Sequence, residues 1–342
     1  MTPINFQGNQ IILSDATLRD GSHAVRHQLT SSDVRAYCSA VDKVGIDWIE
    51  VGHGNGLGAS SFHIGQSASK DSEMLFAARS ELKNSKLSVH VMPGIASIKR
   101  DIAPAIELEV DVFRIASHCS EADTTLRYLE YVREQGKIAV GVLMMCHMLE
   151  PSEILNQARL MQKAGAEAVM IMDSAGALRM ADVSDRIMEL VNGLEIPVGI
   201  HAHNNLGLSV ANSLVAVEAG ALIVDACAAG FGAGAGNAPM EVLVPLFREE
   251  RRTNADHHEY FRAVDEALRS FIPSRQSLST ESVATGLAGL FSGFLKPIVT
   301  ESKRYGIDAF ELIEELGKYK PVAGQEDLII EVASRLSQNS EI

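Results

Sequence analysis

The sequence predicts an α/β protein built as a TIM (β/α)8 barrel with a C-terminal helical domain, and three observations carry that reading. Eight short apolar runs rich in β-branched residues recur up to about residue 230. Longer stretches with helical spacing separate them, with glycine breakers near the expected helix ends, as in Val44-Gly45-Ile46, Gln135-Gly136-Lys137, Ala164-Gly165-Ala166 and Ala219-Gly220-Ala221. Beyond about residue 250 the alternation stops and helical patterns follow one another.

The expected strands, in order, are 10–18, 46–52, 87–93, 110–117, 137–145, 168–174, 197–203 and 222–230. Helix starts between them are marked by Thr30-Ser31-Ser32-Asp33, by Glu121-Ala122-Asp123, and by Pro151-Ser152-Glu153, where proline costs no hydrogen bond in the first turn. Parallel strands joined by right-handed crossovers over this length suit a closed barrel better than an open doubly wound sheet, which is the alternative. The polar stretch from Arg248 to Asn254 then divides a barrel domain, 1–250, from a helical domain, 251–342. Expected helices of the second domain are 261–271, 279–296, 297–305, 309–316 and 327–336, punctuated by Pro273, Pro297 and Pro321.

Composition narrows the function. Lys and Arg number 30 against 44 Asp and Glu, a formal charge of −14, and no basic block offers phosphates a partner, which argues against nucleic-acid binding. No apolar run approaches the length of a membrane span, and no basic segment followed by an apolar one opens the chain. The four cysteines form no C-x-x-C pair, so a reducing, cytoplasmic location is expected.

In a barrel of this type the C-terminal strand ends face the active site. The first expected strand runs into Thr17-Leu-Arg-Asp-Gly-Ser-His23, which gathers Arg19, Asp20 and His23 at its mouth. The seventh ends in His201-Ala-His203-Asn-Asn, and the i, i+2 spacing puts both imidazoles on one face. Two histidines and a carboxylate from another strand, Asp20, make a divalent-metal site with open positions. The blander reading has Asp20 pairing with Arg19 or capping a helix, and each histidine serving as a hydrogen-bonded structural residue. The glycine-rich Gly230-Phe-Gly-Ala-Gly-Ala-Gly-Asn237 loop reads as a tight turn carrying Asn237 toward the metal, with a phosphate cradle as the alternative. The Gly52 to Gly58 loop is either a mobile lid or a plain turn. None of the expected strands ends in lysine, so Schiff-base chemistry is excluded, and no Gly-x-Ser-x-Gly elbow is present for acyl transfer. His53, His118 and His147 follow strands and could support the site from behind; His27, His63, His90, His257 and His258 read as ordinary.

The motifs Thr-Leu-Arg-Asp-Gly-Ser-His, His-Ala-His-Asn-Asn-Leu-Gly and Gly-Ala-Gly-Ala-Gly-Asn-Ala-Pro together resemble the metal-dependent pyruvate aldolases of the superfamily that includes isopropylmalate synthase and HMG-CoA lyase, and within it the 4-hydroxy-2-oxovalerate aldolase family. The likeness continues through Ser117 to Asp123, Leu143 to His147, Asp173 to Gly176 and Gly324 to Asp327, nearly the whole chain. It implies Mn2+, or another divalent ion such as Mg2+ or Co2+, held by Asp20, His201 and His203. It further implies Arg19 as transition-state stabiliser, His23 as general base, and a substrate site of Arg19, Asp20, Ser174, His201 and Phe291. The implied reaction splits a 4-hydroxy-2-oxo acid into pyruvate and a short aldehyde, or runs in reverse. The helical domain of the family contacts an acylating acetaldehyde dehydrogenase, so a homo- or hetero-oligomer is expected.

The chain departs from the family in three places. Phe291 stands where the family has tyrosine, Ser22 replaces a usual methionine, and the second loop reads His53-Gly-Asn-Gly-Leu-Gly-Ala-Ser-Ser-Phe-His-Ile where the family usually shows Gly-Asp-Gly-Leu-Gly-Gly-Ser-Ser-Phe-Asn-Tyr. Two other functions are compatible with the same metal cluster: Claisen-type condensation of an acyl-CoA with a 2-oxo acid, and a non-catalytic role as partner of a dehydrogenase.

Overall fold

The computed structural model describes Ile4 and residues 10–340; the outer limits of the expected domains, at 1 and 342, lie outside the described residues. Eight parallel strands close into a barrel in sequence order, β1 pairing with both β2 and β8, so the open doubly wound alternative is not what forms. They are β1 (Ile12–Leu18), β2 (Trp48–Val51), β3 (Lys86–Val91), β4 (Val112–His118), β5 (Ile138–Met144), β6 (Ala168–Asp173), β7 (Val198–Ala202) and β8 (Ile223–Ala226). Each overlaps the run that predicts it. The eighth is shorter than expected, because Cys227 turns away to pair with Pro239 and Ala229 adopts a left-handed conformation, φ +56°, which no ladder tolerates.

Eight helices cover the barrel: α1 (Ser31–Val41), α2 (Asp71–Glu81), α3 (Ala103–Glu107), α4 (Leu126–Glu134), α5 (Pro151–Lys163), α6 (Met180–Gly193), α7 (Ser209–Glu218) and α8 (Met240–Glu249). The start signal at Thr30 is a reciprocal capping box with Asp33, and Pro151 opens α5. A ninth helix, α9 (His257–Ser270), also packs on the barrel: Tyr260 and Tyr37 of α1 both donate hydroxyl hydrogen bonds to buried Asp15 of β1, at 3.0 and 2.7 Å.

Side-chain alternation sorts the strands into two environments. One set, including Leu13, Ile49, Val89, Phe113, Val169 and Val224, packs outward under the helices. The other fills the barrel, with Ile12, Trp48, Val112, Val140, Ala168, Met170 and Ile223 forming an apolar plug. Two residues further along three of these strands stand charged groups instead, Glu50, Arg114 and Asp225, and His201 of β7 pairs in register with Asp225, all buried. The plug holds water away from that polar layer and so fixes which end of the barrel carries chemistry.

The helical domain has its own core, built on Leu290, Phe294, Ile298, Leu312, Ile313, Leu316, Ile329 and Val332. Its helices are α10 (Thr280–Leu287), α11 (Leu295–Tyr305), α12 (Ala309–Tyr319) and α13 (Asp327–Ser340). The expected continuous helix 279–296 is broken. Gly289 takes φ +66°, the chain turns through Leu290 and Phe291, and a short 3-10 turn, Ser292–Phe294, leads into α11, where Pro297 sits harmlessly in the first turn. Among the described residues no helix is long and apolar enough to cross a membrane.

Candidate metal centre and active site

Asp20, His201 and His203 converge at the C-terminal end of the barrel, each offering a ligand atom within 4.8 Å of the others. Their placement follows from three chain segments. β1 ends at Leu18 and tightens into a 3-10 turn, Asp20–His23, which brings Asp20 within reach of both histidines. β7 carries His201, and His203 follows just beyond it, where its backbone bridges to Asn237. The glycine-rich loop after β8 closes on the opposite side: the Ala233 N–H and the Asn237 amide donate to Asp20 Oδ2 at 3.1 and 2.7 Å. A Cβ at Gly232 would lie 2.2 Å from Asn237 Nδ2 and 2.7 Å from Asp20 Oδ2, so only glycine lets this loop approach. The loop is thus the turn that carries Asn237 to the carboxylate, and the Ala233 N–H that a phosphate cradle would use is spent on Asp20.

Both imidazoles are oriented from behind. Nδ1 of His201 donates to Asp225 Oδ2 at 2.9 Å, and Nδ1 of His203 to the Asp173 carbonyl at 3.0 Å. Each Nε2 is then a lone pair, buried and without a hydrogen-bond partner, and that of His203 lies 3.7 Å from Asp20 Oδ2. Buried nitrogens are rarely left unpaired. Two of them aimed at one carboxylate, each ring backed by an oxygen acceptor, are the donor set and outer support of a divalent-metal site.

Charge supports the same conclusion. Asp20 pairs with Arg19, Arg19 with Glu50, Glu50 with Arg114, and Arg114 with Asp225, all buried. Two guanidiniums against three carboxylates, 2 − 3, leave −1 in a dry interior, where uncompensated charge is costly and a bound cation offsets it. Burial pushes both Asp20 and Asp225 toward protonation, but the surrounding cations win. Arg19 holds Asp20 well below the usual carboxylate range, and Arg114, with a hydrogen bond from His201, does the same for Asp225. His203 is pushed down to about 3, chiefly by burial, which keeps it a neutral ligand.

Arg19 is held on three sides, by Glu50 through Nε at 2.7 Å and by Asp20 and the Gly54 carbonyl through Nη1 at 2.6 and 3.4 Å. Its Nη2 is buried with no partner. His23 sits against Gly54, where a Cβ would fall 2.4 Å from its Nε2. Burial, helped by Arg19 and opposed by Asp20, holds the His23 ring below its ordinary pKa, so it is neutral and able to accept a proton near pH 7. Ser174 follows β6 and accepts the Met145 N–H at 3.0 Å. Phe291, from the break between α10 and α11, shares a cavity wall with Ser174 and packs edge-on against Phe294.

The helical domain is fastened to this face of the barrel. Ser292 N donates to the Ser174 carbonyl at 2.9 Å, Ser292 Oγ to Asn205 at 2.7 Å, and Lys296 Nζ to the carbonyls of His23 and Ala24 at 3.2 and 2.8 Å. His147 Nε2 donates to the Gly289 carbonyl at 3.1 Å.

Two histidines expected to be ordinary are not peripheral. His27 stacks on His53 at 3.6 Å between ring centroids and packs edge-on against His23, while His90 faces the barrel interior with Nδ1 3.8 Å from Glu50. Sequence reasoning also missed Glu50, Arg114 and Asp225. Their signal was a lone charge inside an apolar strand run, which burial permits only with a partner.

Fold and site together define a (β/α)8 protein with a candidate His-His-Asp metal site at the C-terminal end of its barrel. The HMGL-like family matches residues 10–266, and the DmpG-like communication domain matches residues 276–338. The 4-hydroxy-2-oxovalerate aldolase of Pectobacterium atrosepticum is 50% identical over 333 residues, covering 97% of both chains. That of Burkholderia pseudomallei is 49% identical, covering 97% of this chain and 96% of its own. The 4-hydroxy-2-oxovalerate aldolase 2 of Salinispora arenicola is 48% identical over 95% of this chain and 94% of its own. Among solved structures, the carboxyl transferase domain of Rhizobium etli pyruvate carboxylase superposes with a TM-score of 0.81 at 17% identity; 97% of this chain spans 61% of that one, a likeness of fold alone. The chain belongs to the HMGL-like family and, within it, to the 4-hydroxy-2-oxovalerate aldolases, a metal-dependent group of carbon–carbon lyases. Neither the condensing reading nor the non-catalytic one is favoured by these matches.

Proposed function

We propose that this protein is a class II aldolase that cleaves a 4-hydroxy-2-oxo acid, of which 4-hydroxy-2-oxopentanoate is the simplest example, to pyruvate and an aldehyde, or runs the reverse addition. The observation that carries the reading is the pair of buried, unpartnered Nε2 atoms of His201 and His203 facing Asp20. These three residues would hold the ion, with Mn2+ as our preferred choice among divalent cations. When bound, it supplies Lewis acidity toward the keto group of a 2-oxo acid.

The chain's own groups do the rest. His23 takes the proton of the C4 hydroxyl as the C3–C4 bond breaks; the bond's electron pair passes to C3 and the keto oxygen, and C4 leaves as the aldehyde. Such a base contributes on the order of 10²–10⁴-fold. Arg19, pinned by Glu50 and Asp20, directs its one unpartnered nitrogen, Nη2, at the charge growing on the keto oxygen, in a low dielectric that strengthens the effect. C3 then takes a proton to give pyruvate. Ser174 and Phe291 line the cavity beside the centre and contact the aldehyde half. The division between barrel and appendage we place between α9 and α10, which fits the packing of Tyr260 on Asp15.

Residues 276–338 form the surface for an acylating aldehyde dehydrogenase in a hetero-oligomer, a reading supported by their match to a communication domain. We assign the complex to the cytoplasm, where the four buried free cysteines stay reduced.

Exhaustive chelation should abolish pyruvate release from 4-hydroxy-2-oxopentanoate, and Mn2+ should restore it. Full activity in the chelated protein would refute the metal-centred reading. Metal-dependent deuterium exchange into the pyruvate methyl group tests metal and base without any aldehyde.

A further inference from the structure

A cavity whose wall includes Ser174, the residue after β6, is far larger than a two-carbon aldehyde. It measures about 530 Å³, and its apolar wall comprises Met92 and Ile95 after β3, Ala116 of β4, Met144 of β5 and Met145 just after it, and Phe291 of the helical domain. Polar groups contribute to it, Ser117 and His118 of β4, Glu121 and Thr124 beyond that strand, and Asn55 among them, but most of its surface is apolar. Along β4 the inward series runs Val112, Arg114, Ala116; along β5, Val140, Val142, Met144; and along β6, Ala168, Met170, Met172. So β1 and β7, which carry the candidate ligands, present the charged half of the mouth, and beyond Arg114 the inward residues of β4 to β6 present an apolar half. Ser174 joins the two, lying on the cavity wall one residue after Asp173, whose carbonyl fixes His203.

An acetaldehyde molecule displaces only about two waters, roughly 60 Å³. The remaining space would hold water against methionine, isoleucine and phenyl surface that offers it few hydrogen bonds. Three methionines make the wall adaptable and favour flexible apolar chains. Phe291 adds a ring edge with no hydroxyl to donate.

Resting on the aldolase reading above, we propose that the preferred substrates are 4-hydroxy-2-oxo acids bearing an unbranched alkyl tail of about four or more carbons on C4, so that the aldehyde product is a medium-chain aliphatic one. The carboxylate and keto group face the charged half of the mouth, and the tail lies along Met92, Ala116 and Met144.

The test is a homologous series with methyl, ethyl, propyl, butyl and pentyl tails, cleaved by the full-length Mn2+-loaded protein and followed by pyruvate release. Each buried methylene is worth about fourfold in kcat/KM, so the pentyl substrate should exceed the methyl one by on the order of 10²-fold. A maximum at methyl or ethyl with decline thereafter overturns the proposal. In Ala116→Phe, which fills the cavity, the pentyl-to-methyl ratio should collapse toward one. Because both rates come from one preparation, lost fold or lost metal cancels, and an unchanged ratio also overturns the assignment. Should Ala116→Phe fail to fold, the wild-type series decides alone. Cleavage of no member of the series would refute the aldolase reading itself, a result distinct from an inverted gradient.

Discussion

Replacing Asp225 by asparagine tests whether the buried ion-pair chain tunes the metal centre or merely accompanies it. Asp225 Oδ2 accepts from His201 Nδ1 at 2.9 Å and from the Arg114 guanidinium, and an asparagine Oδ1 in that position keeps both hydrogen bonds while deleting the charge. Two consequences can be worked out. The buried cluster of Arg19, Arg114, Asp20, Glu50 and Asp225 moves from −1 to neutral, so a cation gains less by entering. The His201 ring also loses the negative charge behind it. Changes to such outer partners typically weaken metal binding by about 10–100-fold, or roughly 1.4–2.7 kcal/mol. For the metal-free fold, breaking a buried pair costs about 3–5 kcal/mol. Because Arg114 keeps Glu50 at 3.0 Å, we expect the lower end of that range, about 3 kcal/mol. Competition with a chromophoric chelator gives the metal Kd, and urea unfolding of apo and loaded protein gives both stabilities. A variant whose Kd stays within about twofold of wild type would refute the claim that the chain from Asp20 to Asp225 acts as one electrostatic unit.

Lys296→Met removes the two hydrogen bonds that α11 makes to the carbonyls of His23 and Ala24. Allowing for the exposure of the lysine, about 1 kcal/mol is at stake, so kcat should fall about fivefold with metal content intact. Lys296→Arg should recover part of it, whereas an unchanged kcat in Lys296→Met would show that the 3-10 turn holds His23 unaided. For His147, burial first, with Arg186, His118 and Lys320 adding to it and the Gly289 carbonyl opposing, lowers the pKa from 6.5 to about 4. A depressed folded-state pKa means that its contribution to stability is complete above pH 6.5 and is lost as pH falls toward 4. Other buried histidines titrate in the same window, so the measurement is the difference between wild type and His147→Gln. Their unfolding free energies should diverge less at pH 5 than at pH 7, and a constant difference would show that His147 does not titrate in the contact with Gly289.

The barrel was legible because its strands are written as apolar runs of the right length and its helices end in glycine. Boundaries failed where tertiary pairing overrides local pattern. The run 222–230 reads as one strand, yet Cys227 leaves to pair with Pro239, and the run 279–296 reads as one helix, yet Gly289 ends it. Neither break could be scored from composition, since glycine occurs inside and outside helices and the decisive partner of each segment is distant in sequence. The convergence of the candidate triad was legible for a different reason. His201 and His203 are two apart on one strand, and Asp20 follows the first strand at a position where the barrel's geometry obliges it to face the same mouth.

Glu50, Arg114 and Asp225 show what a strand pattern conceals. Each sits alone among apolar neighbours in its own run, and no local spacing links them, because their partners lie 111 residues apart in the case of Arg114 and Asp225. What links them is closure of the barrel, which brings β4 and β8 across one interior. A charge buried inside an apolar strand is affordable only when another segment supplies its counterion. Three such charges in one chain, with one surplus negative, therefore argue for a cation before any ligand geometry is considered. The same closure explains why the mouth is chemically divided. The candidate ligands come from β1 and β7, on either side of β8, with Arg114 of β4 reaching across the interior to Asp225, while beyond Arg114 the inward residues Ala116, Met144 and Met172 of β4, β5 and β6 make an apolar wall. A substrate that is ionic at one end and hydrocarbon at the other matches that division along its length.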